Sequence, residues 1–213
     1  MNDIATRRLE EKERRRGEML DAAHRVATRV GIEGMTMERV AREARLSRGL
    51  LYVYFKDLTD LNLGLCERAL GIFHDRAAAA AASQATGLDK LTAVGRAYVQ
   101  FAHDCPTYFE ALVRFESSSA AVNQPDGNLP ACLEASARVH ALMLSHLELG
   151  MRDGSVSRTV GEPNTVAISL WALMHGAIQI TRLKAGILAR QGVGADALID
   201  QAMRMATVAL SRS

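Results

Sequence analysis

The sequence has little of several features that mark common protein classes. Its three cysteines, Cys66, Cys105 and Cys132, are far apart and form no CxxC pair. This spacing argues against a metal finger and predicts reduced, mostly buried thiols. There are only four prolines, and alternating β-branched residues are missing almost everywhere. A β-sheet is therefore not expected, and the sequence predicts an all-α fold.

Long hydrophobic runs are also missing. The nearest candidate, residues 165–180, is interrupted by His175 and Gln179, and it falls short of the roughly 18 to 20 apolar residues that a membrane span needs. The first residues are charged and include no apolar signal-peptide segment. We therefore expect a cytoplasmic protein with no membrane partner.

Positive charge is concentrated near the N-terminus. The net charge is +2, but residues 1–56 carry 13 Lys and Arg against 9 Asp and Glu, whereas residues 57–213 carry 13 against 15. This small bias favours an anionic partner for the N-terminal part.

The N-terminal part has the pattern of a helix-turn-helix. A first helix is expected from Thr6 or Glu13 to Val30. Thr36 and Ser47 are good N-caps for two short helices, the second ending near Phe55, and a long helix should follow from Asp57 or Thr59. Two helices of about eight residues joined by a tight turn have the proportions of a DNA-binding motif.

The rest of the chain is predicted to form longer helices at about 89–104, 106–116, 130–151, 163–188 and 195–211, with loops at 123–130 and 150–162. Residues 165–183 leave hardly any polar face, and such a helix needs partners on more than one side. We therefore expect a homodimer through the last two helices.

The second short helix separates into an inward and an outward side. Leu51 and Phe55 are four residues apart and should face the core. Arg48 can bind guanine, Leu50 or Val53 can contact a thymine methyl, and hydroxyl and amino groups can hold phosphates. The alternative is that the tyrosines are ordinary packing residues and Arg48 a solvated cation. The candidate DNA-binding residues are Thr36, Arg45, Ser47, Arg48, Gly49, Leu50, Tyr52, Val53, Tyr54 and Lys56.

Residues 19–65 closely resemble the N-terminal domain of TetR-type transcriptional repressors. The resemblance lies in "LDAA" of the first helix, Gly31, Thr36, "VA" with Ala44, and the pattern LS.G.LY.YF from Leu46 to Phe55. It implies a DNA-binding domain over residues 1–58 and a helical ligand-binding and dimerisation domain over 59–213. It also implies a dimer that binds a pseudo-palindromic operator and leaves the DNA when a small molecule binds.

Three positions depart from the family pattern. Arg45 replaces the usual turn glycine, which costs on the order of 1 kcal/mol if the residue is left-handed. Leu58 stands where many members carry a phosphate-binding lysine, so Lys56 gains importance. Leu50 replaces a commonly small or polar residue.

The C-terminal part carries weaker signals. "WALMHG", residues 171–176, resembles the Trp-x-x-x-His-Gly motif of one large subgroup of the family. By the same resemblance the ligand cavity lies among the middle helices, although each candidate taken singly is more often a core residue. The candidates are Tyr98, Phe101, Phe109, Phe115, Met143, Trp171, Met174 and His175. In the basic N-terminal arm, Arg14, Arg15 and Arg16 are expected near DNA and the preceding residues in solvent.

The leading interpretation is a homodimeric, ligand-released repressor. No cluster of acid, base, nucleophile or metal ligands suggests catalysis, a metal or a cofactor. The alternatives are an all-α enzyme or small-molecule carrier without DNA binding, and a DNA-binding activator.

Overall fold

The structure is a computed structural model that describes residues 3–117 and 126–211. In these ranges the chain forms ten helices and no strand. They are α1 (Asp3–Val30), α2 (Met37–Ala44), α3 (Arg48–Tyr54), α4 (Leu58–Ala82), α5 (Gly87–Asp104), α6 (Pro106–Ser117), α7 (Leu129–Asp153), α8 (Pro163–Leu183), α9 (Ala185–Arg190) and α10 (Ala195–Leu210). The predicted all-α class is confirmed. Residues 123–125 of one predicted loop lie outside the described residues.

One predicted helix is wrong in its length. Residues 163–188 were expected to be continuous, but α8 ends where the backbone of Lys184 leaves the helical region at φ −124° and ψ 22°. The Lys184 N–H still donates to Ile180 O at 2.9 Å, after which α9 begins as a separate helix. Gly186, in the first turn of α9, has a low helix propensity and favours the break.

Local capping builds the helix-turn-helix. Thr36 Oγ1 accepts the Arg39 N–H at 3.2 Å, and Ser47 Oγ accepts the Leu50 N–H at 3.1 Å. Between the helices Arg45 is left-handed, with φ 56° and ψ 39°. These are the conformations that N-caps and a helix C-terminus require, so both predicted caps are confirmed and the strain expected at Arg45 is present.

The chain packs into two compact units. The first comprises residues 1–71 and 105–136, and its core joins α1, α2 and α3 through side chains such as Leu20, Val40 and Leu51. On its surface the Glu43 carboxylate accepts from Arg25 Nε at 2.7 Å and from an Arg29 terminal nitrogen at 2.6 Å. The two arginines therefore fasten α1 to α2.

The second unit comprises residues 72–104 and 137–213. In it α8 and α10 pack on each other and both pack on α5. Leu91, Leu147, Val156 and Leu210 form a buried cluster. Because α4 and α7 each run through both units, the domain division expected between residues 58 and 59 stays a prediction.

Helix α8 contains a longer apolar stretch than expected. It has 21 residues and a stretch with a mean hydropathy of 1.2, and by length and composition alone it is long and apolar enough to cross a membrane. The expectation that no segment reaches this length is therefore wrong. A single helix of this kind is weak evidence for a span, because helices packed in soluble proteins pass the same test. Only 22% of this stretch is buried, with Met174 and Ile178 among its buried residues.

Candidate DNA-binding site

One side of α3 is exposed to solvent and takes no part in the core of the domain. Leu51 and Phe55 are fully buried, as predicted, whereas Tyr52 is 44% and Val53 75% exposed. Arg48 and Gly49 are exposed beside them. The result is a short surface of one cation, one aromatic hydroxyl and one apolar side chain, all carried by a helix whose other side is fixed in the core.

Leu50 and Tyr54 lie between the two sides of α3. Both are half-buried and pack against the core of the first unit. They are four residues apart and therefore share a stripe of the helix that borders the buried stripe of Leu51 and Phe55. Only their outer parts are available to a partner, which is a smaller contribution than the sequence suggested.

The turn between α2 and α3 adds positive charge. Arg45 and Arg48 are exposed, and neither side chain forms an ion pair with any residue in the described ranges 3–117 and 126–211. Thr36 and Ser47 use their side-chain oxygens as helix caps, so their hydroxyl hydrogens are the groups that can donate to an anion.

Lys56 already has an anionic partner. Its ammonium group donates to Asp126 Oδ1 at 2.6 Å, and its backbone N–H donates to Asp60 Oδ2 at 3.0 Å. The hydrogen bond that Lys56 donates to Asp126 raises the pKa of Lys56, and the charges of Asp126, Asp57 and Asp60 act in the same direction. Leu58, where the family often has lysine, is half-buried against the core.

The arginines of the N-terminal arm are held by acidic neighbours on α1 or by α4. Arg14 donates to Glu11 and Glu18, and Arg15 to Glu11 at 2.7 Å. Arg16 differs from both, because its part-buried guanidinium binds Glu67 and lies 5.9 Å from the centre of the Phe55 ring. Arg16 therefore has a structural role, and the expected DNA proximity of the three arginines stays a prediction.

Part of the predicted ligand set comes together in the second unit. Tyr98 on α5 is buried, and its hydroxyl lies 2.7 Å from His175 Nδ1 on α8. The Trp171 ring centre lies 5.6 Å from that of His175. Two further residues that were not among the predicted candidates lie in the same cluster. Gln179 lies one turn further along α8, and its Nε2 is 3.2 Å from His175 Nε2. The ring centre of Phe73 lies 4.8 Å from that of Tyr98.

The sequence offered a signal for both missed residues. Gln179 is four residues after His175, which places the two side chains on one face of a helix. Phe73 continues the apolar stripe of Ala69 and Ala77 on α4. The periodicity of these two helix faces is therefore the signal that indicates both residues.

The remaining ligand candidates do not form one set. Phe101 and Met174 are buried and Met143 is half-buried in the second unit, whereas buried Phe109 and half-buried Phe115 belong to the first. Within the described part of the chain, no group of three or more His, Cys, Asp or Glu side chains could hold a metal ion.

Comparisons with known proteins find family matches for the N-terminal and the C-terminal region of the chain. The family model of bacterial regulatory proteins of the tetR family matches residues 19–62, and that of the tetracyclin repressor-like C-terminal domain matches residues 91–206. An HTH-type transcriptional regulator of Staphylococcus aureus (strain USA300) is 38% identical over 53 residues, which cover 25% of this chain and 29% of the regulator. The match thus spans less than a third of that relative's length.

Solved structures share the fold over nearly the whole length. A TetR family transcription regulator from Marinobacter aquaeolei VT8 has a TM-score of 0.66 at 18% identity, covering 97% of this chain and 100% of that one. FadR from Bacillus subtilis in complex with stearoyl-CoA has a TM-score of 0.68 at 16% identity, covering 91% and 98%. The likeness of residues 171–176 to the Trp-x-x-x-His-Gly subgroup stays a prediction. The C-terminal match alone covers more than half of the chain, so the protein belongs to the TetR family of DNA-binding transcription regulators, which are not enzymes.

Proposed function

We propose that this protein is a cytoplasmic, homodimeric repressor that binds a pseudo-palindromic operator through α3 and is released by a small-molecule effector. The observation that carries the proposal is the exposed turn of α3, where Arg48, Tyr52 and Val53 stand out from a helix anchored by Leu51 and Phe55. Membership of the family supports DNA binding, and this turn supplies the chemistry.

Each exposed group of α3 has a distinct task in the major groove. The Arg48 guanidinium donates two hydrogen bonds to one guanine, and Val53 contacts a thymine methyl. The Tyr52 hydroxyl donates to a phosphate and fixes the register of the helix. Gly49, which has no side chain, lets the backbone come close to the bases.

The dimer is proposed to form through α8 and α10. Large apolar side chains are exposed along both helices in the single chain: Ile168, Trp171, Leu173, Ile180, Leu183, Met205 and Val208. An exposed apolar surface of this extent is typical of a protein interface, and a second copy of the chain would cover it. A dimer also matches the two half-sites of a pseudo-palindrome.

Effector binding is assigned to the second unit. The fold is shared with FadR, which was solved with stearoyl-CoA, and the Tyr98–His175 pair supplies a polar group among the rings of Phe73 and Trp171. Release follows if the effector and the operator prefer different conformations of the dimer, since each ligand then lowers the affinity for the other.

Operator binding is tested with duplexes selected from a random library on the immobilised full chain. Arg48→Ala should weaken the selected duplex by about 5- to 150-fold in fluorescence anisotropy, because a bidentate base contact contributes about 1–3 kcal/mol. Arg190→Ala, an exposed arginine at the end of α9, removes the same charge and should change affinity little. Equal losses in both variants would contradict the assignment to α3.

Repression needs a second measurement. A reporter placed behind the selected operator should be silenced when the protein is expressed, and Arg48→Ala should restore it. Reporter activity that rises with the wild-type protein would identify an activator instead.

A further inference from the structure

Residues 126–128, directly before α7, form a loop that is fixed to the end of the DNA-binding motif within the first unit. Asp60 is only 2% exposed. One oxygen of its carboxylate accepts the Lys56 N–H at 3.0 Å and the other accepts the Asn128 N–H at 2.6 Å. A single buried carboxylate therefore joins this loop to Lys56, in the segment between α3 and α4.

The residues of this loop allow its backbone to come close to the Asp60 carboxylate. Gly127 is left-handed at φ 57°, and a Cβ at this position would overlap the Asp60 carboxylate. On the other side the Arg16 guanidinium donates to Asn128 Oδ1 at 2.6 Å. The two residues that follow Asp126 are thus held by contacts that require particular residues, and they fix the chain directly after Asp126.

The position of Asp126 brings its carboxylate to the Lys56 ammonium. Oδ1 lies 2.6 Å from Nζ, and the two side chains are 64% and 48% exposed. A carboxylate and a phosphate are equivalent acceptors for an ammonium group. Because the pair is open to solvent, a DNA phosphate can reach the same ammonium that Asp126 now holds.

We propose that Asp126 is an internal competitor for the operator phosphate that Lys56 binds, and that it lowers the affinity of the protein for DNA. The inference rests on the proposed DNA-binding function. Lys56 must exchange a carboxylate for a phosphate when the operator binds, and the negative charge of Asp126 then stays close to the DNA. The contact limits how tightly the regulator holds any duplex, without affecting which bases α3 reads.

Four full-length variants test the competition: Asp126→Asn, Lys56→Met, the double variant, and Asp75→Asn. Asp75 is a matched control because it is an exposed acid on α4 that pairs with His74 rather than with a cation of the DNA-binding motif. Affinity is measured by anisotropy for the selected operator duplex and for a scrambled duplex of equal length.

Asp126→Asn should bind both duplexes about two- to fivefold more tightly, the range expected for freeing one exposed ion-pair partner. The effect extends to the scrambled duplex because a phosphate contact carries no sequence information. Asp75→Asn should match the wild type, and most of the gain should disappear when Asp126→Asn is combined with Lys56→Met. Thermal unfolding midpoints should stay close to that of the wild type, since the pair is exposed.

Two other results overturn the inference. If Asp126→Asn binds no more tightly than Asp75→Asn, the carboxylate does not compete; if it binds more weakly, Asp126 positions Lys56 for DNA. Both results leave the proposed function intact, because the wild type still binds the operator. A wild-type protein that binds neither duplex would instead refute the proposed function.

Discussion

Val53 on α3 and Val208 on α10 are each 75% exposed, yet their surroundings differ. Val53 lies among Arg48, Gly49 and Tyr52, whereas Val208 belongs to a helix surface that also exposes Met205. An apolar side chain beside cations and hydroxyls suits a polyanion with methyl groups in its groove. Exposed Met205 and Val208, three residues apart on one helix, suit another protein surface. What flanks an exposed valine therefore says more about its partner than its exposure does.

The largest expected effect is a loss of stability, which we expect on the buried side of α3 and not on its exposed side. Leu51→Ala should lower the free energy of unfolding by about 2–5 kcal/mol, because it leaves a cavity in the core. Val53→Ala, two residues later, should change it by less than about 0.5 kcal/mol. Urea unfolding followed by circular dichroism measures both. A large loss of stability in Val53→Ala would mean that the exposed turn serves folding rather than recognition.

The two exposed valines can be compared directly by giving each a negative charge. Val53→Glu should lower operator affinity on the order of 100-fold, because a carboxylate would face the DNA phosphates. It should leave the dimer unchanged. Val208→Glu should instead shift the protein toward monomer, since the new charge would be buried between two copies.

Analytical ultracentrifugation and anisotropy on both variants resolve the comparison. Operator affinity of the Val208→Glu monomer should also fall, because one half-site alone is weakly bound, but it should recover at high protein concentration. A Val208→Glu protein that remains dimeric would place the interface elsewhere. A Val53→Glu protein that keeps its operator affinity would remove α3 from the groove.

Local signals explain how much of the first unit could be predicted from the sequence. Thr36 and Ser47 cap helices that begin one residue later, and Leu51 and Phe55 share the buried side because they are apolar and four residues apart. These features depend on neighbours in the chain. The contacts of Lys56 with Asp126, 70 residues away, depend on how distant segments meet, and no spacing in the sequence could have indicated them.

The second unit was harder to predict for the same reason. Its helices follow from apolar periodicity, but the pairing of Tyr98 with His175 depends on how α5 packs on α8. The predicted ligand set mixed residues of both units because aromatic content alone does not indicate which helices share a core. Even the end of α8 at Lys184 depends on a backbone angle that the continuous apolar pattern did not suggest.

A smaller effect is expected at the turn that precedes α3. Arg45→Gly should raise the free energy of unfolding by about 0.5–1 kcal/mol, because glycine adopts the left-handed conformation without a steric cost. Arg42→Gly, inside α2, should instead destabilise by about 1 kcal/mol through lost helix propensity. Urea unfolding distinguishes the two signs.

The Arg45→Gly variant also separates folding from DNA binding. If operator affinity falls although stability rises, Arg45 contributes a phosphate contact and the departure from the family glycine serves recognition. An Arg45→Gly variant that loses stability would contradict the left-handed turn.

The smallest effect concerns the contact between α1 and α2 that supports the exposed turn. Hydrogen bonds from Arg29 and then Arg25 lower the pKa of Glu43 from 4.5 to about 2. A depressed carboxyl pKa stabilises the fold fully above pH 4.5, and this stabilisation is lost as the pH falls toward about 2.

In Glu43→Gln the urea midpoint should therefore depend less on pH in this window than in the wild type. Glu38→Gln, which removes a single exposed pair with Arg42, should follow the wild-type curve, because one such pair contributes little. If both variants flatten the curve equally, the two arginines do not fasten α1 to α2, and the support of α3 comes from the apolar core alone.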